Sequence, residues 1–282
     1  MIYSEILFNI TLWFYLIATL LYIGFMVFRR REAGLLASTT AFLGLLANTA
    51  ALGLRWSEAG HVPLSNQYES LIFMAWAVVL LYLCIEYKYK DKVRALGTVV
   101  VFLGFLSIAV ASLLPYRMQA AEPLVPALQS YWLHIHVTTT FIGYAAFTLS
   151  FAVSIMYLFK ARAEVRVGSG GAGVLSRFPE SAFLDDLSYR ANAMGFPFLT
   201  MGIITGAIWA NYAWGTYWSW DPKETWSLIT WFIYAAYLHA RITHGWRGKR
   251  SAYLSIIGYL SVIFTYFGVN FLLTGLHAYG AG

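Results

Sequence analysis

The sequence predicts an all-α, polytopic integral membrane protein with about eight transmembrane helices and both termini on the external side. Three observations predict it. Hydrophobic residues make up 60% of the chain and charged residues only 11%, whereas soluble proteins carry about a quarter charged residues. The mean hydropathy is +0.63. Apolar runs of about 20 residues recur along almost the whole length, each long enough to cross roughly 30 Å of hydrocarbon as a helix. A soluble fold is excluded, and residues 1–282 are expected to form a single membrane domain.

The spans are expected at about 5–28, 34–54, 67–87, 95–114, 134–159, 194–213, 225–241 and 252–273. Met1-Ile-Tyr-Ser-Glu5 carries no basic stretch, so the run from Leu7 to Phe28 reads as a retained span, not a cleaved signal. The third span contains Cys84, the one cysteine, which excludes an internal disulfide and reads as a small membrane-buried hydrophobe. Two connections are long, from Pro115 to Leu133 and from Lys160 to Ala193. In the second, Phe183, Leu184, Leu187 and Ala191 fall near helical spacing, which predicts a short amphipathic helix on the cytoplasmic surface within a 160–193 loop. The Gly168–Gly173 run satisfies G-x-G-x-x-G in letters, but no strand precedes it and no helix directly follows, so it reads as flexible linker.

Orientation follows from the basic residues, because cytoplasmic loops retain Lys and Arg. One set of loops holds Arg29, Arg30, Arg31, Lys88, Lys90, Lys92, Arg94, Lys160, Arg162, Arg166, Arg177, Arg190, Arg241, Arg247, Lys249 and Arg250; the other holds Arg55, Arg117 and Lys223. The asymmetry puts the termini and the loops around 55–66, 115–133 and 214–224 outside. It also accounts for the net charge of +6 without a nucleic-acid partner.

The external segment Trp209 to Trp226 holds Trp209, Trp214, Trp218, Trp220 and Trp226. An interfacial aromatic belt explains some of this. A flat apolar shelf for a large planar ligand explains the density as well. Asp221-Pro222-Lys223-Glu224 has the order of a helix start: Asp at N-cap, Pro at the first helical position and Glu in the capping-box place. Those carboxylates therefore read as helix-starting groups in preference to a catalytic acid–base pair.

Topology sorts the 6 histidines. His134 and His136 open the fifth span and His277 follows the eighth, all three external. Two neutral imidazoles from different helices over a tryptophan shelf are the constellation for bis-histidine ligation of haem iron. Residues two apart on a helix point in different directions, so only one of His134 and His136 can face the shelf. His239 sits at the cytoplasmic end of the seventh span, where ionisable residues usually line a path or a site. His61 and His244 read as ordinary loop residues.

The stretch Trp214-Gly-Thr-Tyr-Trp-Ser-Trp-Asp-Pro-Lys-Glu-Thr-Trp226 resembles the WWD signature of haem-handling proteins, specifically the CcsA (ResC) family of System II cytochrome c biogenesis. The resemblance extends to Pro63-Leu-Ser-Asn-Gln-Tyr-Glu-Ser70, Leu128-Gln-Ser-Tyr-Trp-Leu-His-Ile-His136, Gly195-Phe-Pro-Phe-Leu-Thr200, Tyr237-Leu-His-Ala-Arg241 and Gly275-Leu-His277. It implies haem b as substrate, held at an external site by His136 and His277 as iron ligands and catalytic residues. Trp209, Trp214, Trp218, Trp220, Trp226 and Asp221 would cradle the ring, and His239 would be the iron ligand at a membrane entry site. It further implies a cytochrome c synthase of haem-lyase type that attaches haem to the CXXCH motif of apocytochrome c. A CcsB-like membrane partner and thiol-reducing proteins would act with it, in the bacterial inner membrane or, in a plastid, the thylakoid membrane. Passing haem to another carrier without a covalent bond is the alternative. Arg55, Arg117 and Lys223 are the external cations available to haem propionates.

Overall fold

The computed structural model describes residues 2–28, 30–120, 123–167, 173–273 and 275. Among them all regular structure is helical: α1 (Ile2–Phe28), α2 (Arg31–Ala59), α3 (Gln67–Tyr89), α4 (Gly97–Leu113), the short α5 (Tyr116–Gln119), α6 (Tyr131–Val167), α7 (Ser181–Trp214), α8 (Pro222–Thr243), α9 (Lys249–Ile263) and α10 (Val269–Leu272). A π-helical turn, Phe264–Gly268, joins the last two. Seven helical runs, α1–α4, α6, α7 and the α9–α10 run, are long and apolar enough to cross a membrane. The eighth expected span is α8, whose apolar stretch is bracketed by Lys223 and Glu224 at one end and His239 and Arg241 at the other.

The helices fall into two compact units, Met1–Pro123 with Met156–Leu184 and Leu124–Ile155 with Asp185–Gly282. The division runs through α6 and α7. The 160–193 stretch is accordingly built differently from the expected loop. Residues 160–167 continue α6, Gly173–Arg177 form a 3₁₀ turn, and the amphipathic stretch is the opening of α7 itself. Leu184, Leu187 and Ala191 are buried and Phe183 is half-buried, and the helix runs on without a break. Residues 168–172 of the glycine run lie outside the described residues.

In the first unit α1 packs along α2 and α4, and α3 packs against both. Tyr15, Tyr22, Ile72, Tyr82 and Ile108 fill its core. Two charged hubs are closed off inside it. Glu86 receives hydrogen bonds from Tyr22 Oη (2.7 Å), Arg94 Nε (3.0 Å) and Ser38 Oγ. Arg55, fully buried, pairs with Glu69 at 3.0 Å and donates to the Gln119 carbonyl at 2.6 Å. Glu69 is held in turn by Ser65, whose backbone N–H and hydroxyl both donate to it. Asn66 caps α3 by accepting from the Glu69 N–H at 2.9 Å. Burying such charges is tolerable only because each is paired and hydrogen-bonded.

The second unit joins α6 up to Ile155 and α7 from Asp185 onward to α8, α9 and α10. Phe147 stacks on Tyr234 with centroids 3.6 Å apart. A buried hydroxyl cluster, Ser150 with Ser188 and Ser255 at 2.8 Å each, ties α6, α7 and α9 together. Such polar cross-links and small residues suit helix association in lipid, where apolar burial alone gives no preference.

Candidate functional site

His136 lies in the second turn of α6 with its ring against α7. Nδ1 is 2.7 Å from the Gly202 carbonyl oxygen, and the imidazole stacks on the Trp209 indole at 6.1 Å and 11°. A carbonyl can only accept, so Nδ1 carries the hydrogen and Nε2 is left as the lone-pair nitrogen. Two glycines make this approach possible. A Cβ on Gly206 would stand 2.7 Å from Nδ1, and one on Gly202 would strike Thr140, one helical turn beyond His136. Trp209 is anchored by its own Nε1, which donates to the Ala127 carbonyl at 2.8 Å, and Trp214 packs edge-on against it at 4.9 Å. His134 turns away and meets the Tyr131 ring edge-on at 6.5 Å. One of the two histidines faces the tryptophans, as helical geometry requires.

Beyond α7 the chain reverses at Gly215, whose N–H bonds the Asn211 carbonyl at 2.9 Å with φ at 78°. Trp218 and Trp220 then meet edge-to-face at 5.8 Å. Trp220 is 69% exposed and adopts φ 61°, a left-handed conformation that is uncommon for a bulky residue. The helix start is the one its sequence encodes. Asp221 accepts from the Lys223 N–H at 2.9 Å, while Glu224 Oε2 accepts from the Ser219 N–H at 2.7 Å and the Asp221 N–H at 3.2 Å. Trp226 packs on Phe264 at 4.2 Å, towards the π-helical turn. The five tryptophans thus divide: Trp209 and Trp214 join His136, Trp218 and Trp220 form an outward pair, and Trp226 packs inward.

Asp221 has a second neighbour. A Cβ added at Gly275 would run into its carboxylate, so the chain following α10 passes directly over the start of α8. His277, with Thr274 and residues 276–282, lies outside the described residues.

Lys223, in the first turn of α8, donates from Nζ to the Asn270 Oδ1 at 3.1 Å and lies within electrostatic reach of His136. At the other end of α8, exposed His239 sits about 24 Å along the helix axis from Lys223, counting 1.5 Å per residue. Its ring meets that of His244 edge-on at 5.5 Å. Arg241 beside it pairs with Asp185 at 2.7 Å and lies over the Tyr189 ring.

The family model described as "Cytochrome C assembly protein" matches residues 64–277. This chain belongs to the cytochrome c assembly protein family. Its curated relatives include cytochrome c biogenesis proteins CcsA: one of Guillardia theta, 43% identical over 96% of this chain and 95% of that one, and one of Gloeobacter violaceus, 42% identical over 94% and 92%. Another, of Synechococcus sp. (strain CC9902), is 45% identical over 82% of each. Among solved structures, one titled Cytochrome c Heme Lyase CcmF shares the fold with a TM-score of 0.68 at 17% identity, over 94% of this chain and 46% of that one. The CcsA resemblance read from the tryptophan segment is thereby shown, and this cytochrome c assembly protein is a multi-pass membrane protein with a role in cytochrome c maturation.

Among the cations expected outside, Arg55 is consumed by Glu69 and Gln119 in the first unit, and Arg117 is exposed on α5. Pairing across 14 positions leaves no periodic trace, so the sequence could only count Arg55 as available. Two features of this assembly protein escaped sequence reading. The His239–His244 contact forms because the chain turns back at the C-terminus of α8, where the His244 N–H bonds the Ala240 carbonyl at 3.2 Å. The Lys223–Asn270 bond joins residues 47 apart; only the polar Asn in an otherwise apolar run hinted at it.

Proposed function

We propose that this protein is the haem-handling subunit of a cytochrome c synthase: it takes haem from the cytoplasmic side at His239 and holds it at an external site on the tryptophan segment, with His136 and His277 as iron ligands. There it presents the vinyl edge to the Cys-X-X-Cys-His segment of apocytochrome c. The observation that carries this reading is the preset His136 imidazole. Its Nδ1 is engaged by the Gly202 carbonyl, which orients the ring and leaves Nε2 as the metal-ligating nitrogen, the second-shell arrangement typical of histidine ligands. Trp209 and Trp214 beside it supply the apolar aromatic wall a porphyrin needs.

In the attachment step each cysteine thiol adds across a haem vinyl group. A sulfur–carbon bond forms at one vinyl carbon, the thiol hydrogen ends on the other, and no net oxidation occurs. The protein's part is to orient the ring, exclude water from its face and set the iron's axial ligands, which tune its potential. A CcsB-like membrane partner, apocytochrome c and thiol-reducing proteins complete the system. The fold shared with a protein titled a haem lyase favours a covalent role over simple haem delivery.

Coexpression with an apocytochrome c, with and without the partner protein, tests the reading. The expected result is covalent haem on the cytochrome in denaturing gels, together with a bis-imidazole haem spectrum on the purified protein. A haem spectrum without covalent product would instead make the protein a haem carrier. No haem spectrum at all would end both readings.

A further inference from the structure

We propose that Lys223 and Asn270 form the carboxylate-binding end of the site, the subsite that receives a porphyrin propionate. The proposal rests on the haem-binding reading above and adds which edge of the ring points where.

An ammonium has three donors and no acceptor. Lys223 Nζ uses one, to Asn270 Oδ1 at 3.1 Å. Two carboxylates are its neighbours in sequence, and both are occupied elsewhere. Asp221 accepts the Lys223 backbone N–H, and Glu224 accepts the Ser219 and Asp221 N–H groups at the start of α8. Among the described residues no carboxylate lies within ion-pair distance of Nζ. Asp221 lies within electrostatic reach of this part-buried cation but outside ion-pair distance, so the Nζ hydrogens not given to Asn270 remain for an incoming carboxylate.

Asn270 supplies the complementary half. Its Oδ1 is taken by Lys223, and its Nδ2 has no acceptor among the described residues, so a carboxylate beside it would receive hydrogen bonds from both side chains. The π-helical turn Phe264–Gly268 sets this register. One residue inserted into a helix rotates everything after it by about 100°. On a regular helix Asn270 would be turned away from Lys223 by that amount. Lys223 stands within the tryptophan segment, between Trp220 and Trp226, which puts the cation at the candidate site itself. The other cations expected outside are less suited: Arg55 has its own carboxylate, and Arg117 is exposed on the short α5.

The test uses the full chain purified in detergent with its partner. It is titrated with haem and separately with haem dimethyl ester, whose carboxylates are masked, while the Soret band is followed. A charge-assisted pair predicts that the wild type prefers haem over the ester by about ten- to hundredfold. In Lys223→Gln that preference should collapse to within about twofold, as one charge-assisted bond is lost, with ester affinity unchanged. Lys223→Arg should keep most of it, and Asn270→Ala should lose part. An unchanged haem-to-ester ratio in Lys223→Gln overturns this proposal alone. A wild type that binds neither compound overturns the haem-binding reading as well. Unchanged ester affinity in the variants shows that the fold is intact.

Discussion

Gly206 lies so close to His136 that a single added methyl group would stand 2.7 Å from the imidazole Nδ1. The ring orientation on Trp209 therefore depends on a residue that touches no ligand. Gly206→Ala should displace the ring and weaken its bond to the Gly202 carbonyl, at a packing cost of about 1–3 kcal/mol. The expected outcome is severalfold less haem per purified protein, with helicity by circular dichroism preserved. Full haem content in this variant would mean that the imidazole orientation is not limiting.

His136→Gly should abolish covalent attachment, and millimolar imidazole in the growth medium should restore part of it, because a free imidazole can refill the axial position once the side chain is gone. His134→Gly, whose ring meets Tyr131 and not Trp209, should retain attachment. The same rescue is expected for His277→Gly. His239→Gly should instead lower haem loading of the purified protein. Covalent haem on coexpressed cytochrome c and the haem-to-protein ratio separate these outcomes.

Glu224 distinguishes a helix-starting carboxylate from a catalytic one. It completes the capping box by accepting from the Asp221 N–H, a role glutamine can fill. Glu224→Gln should support near-normal attachment, whereas Glu224→Ala should cost about 1 kcal/mol at the start of α8 and lower the melting temperature in detergent. If glutamine abolished attachment as completely as alanine, the carboxylate would be handling a proton.

The capping box, the divergence of His134 and His136 to different sides of one helix and the apolar spans were legible because each is local. A helix start is written in four adjacent residues, a helix face in their spacing, a span in a run of about 20 residues. What the sequence hid is long-range. The expected spans at 134–159 and 194–213 stop short of α6 and α7, because hydropathy marks where lipid begins and not where hydrogen bonding ends. The first turns of α7 carry Asp185, Asp186 and Arg190, polar enough to read as loop, yet Arg190 pairs with Asp186 at 2.7 Å one turn earlier, and Asp185 binds Arg241. The expected 160–193 loop gives way to helix for that reason.

Arg55 and Glu69 offer the sharpest stability test. Both are buried in the first unit, and removing one partner strands the other's charge away from water, which costs about 3–5 kcal/mol. Arg55→Met or Glu69→Gln alone should therefore reduce membrane yield and lower the melting temperature of the purified protein. The pair replaced together by Arg55→Met and Glu69→Leu should recover much of the loss, since a well-packed apolar pair avoids the desolvation of both charges. The hydrogen bonds from Arg55 to Gln119 and from Ser65 to Glu69 are lost in the double variant too, so recovery should be incomplete by about 1–3 kcal/mol for each polar partner left unsatisfied. Haem bound per folded molecule should stay at the wild-type level in all three variants, because Arg55 is committed to its own carboxylate. A selective loss of haem in Arg55→Met, with the melting temperature unchanged, would instead make this arginine a haem ligand's countercharge.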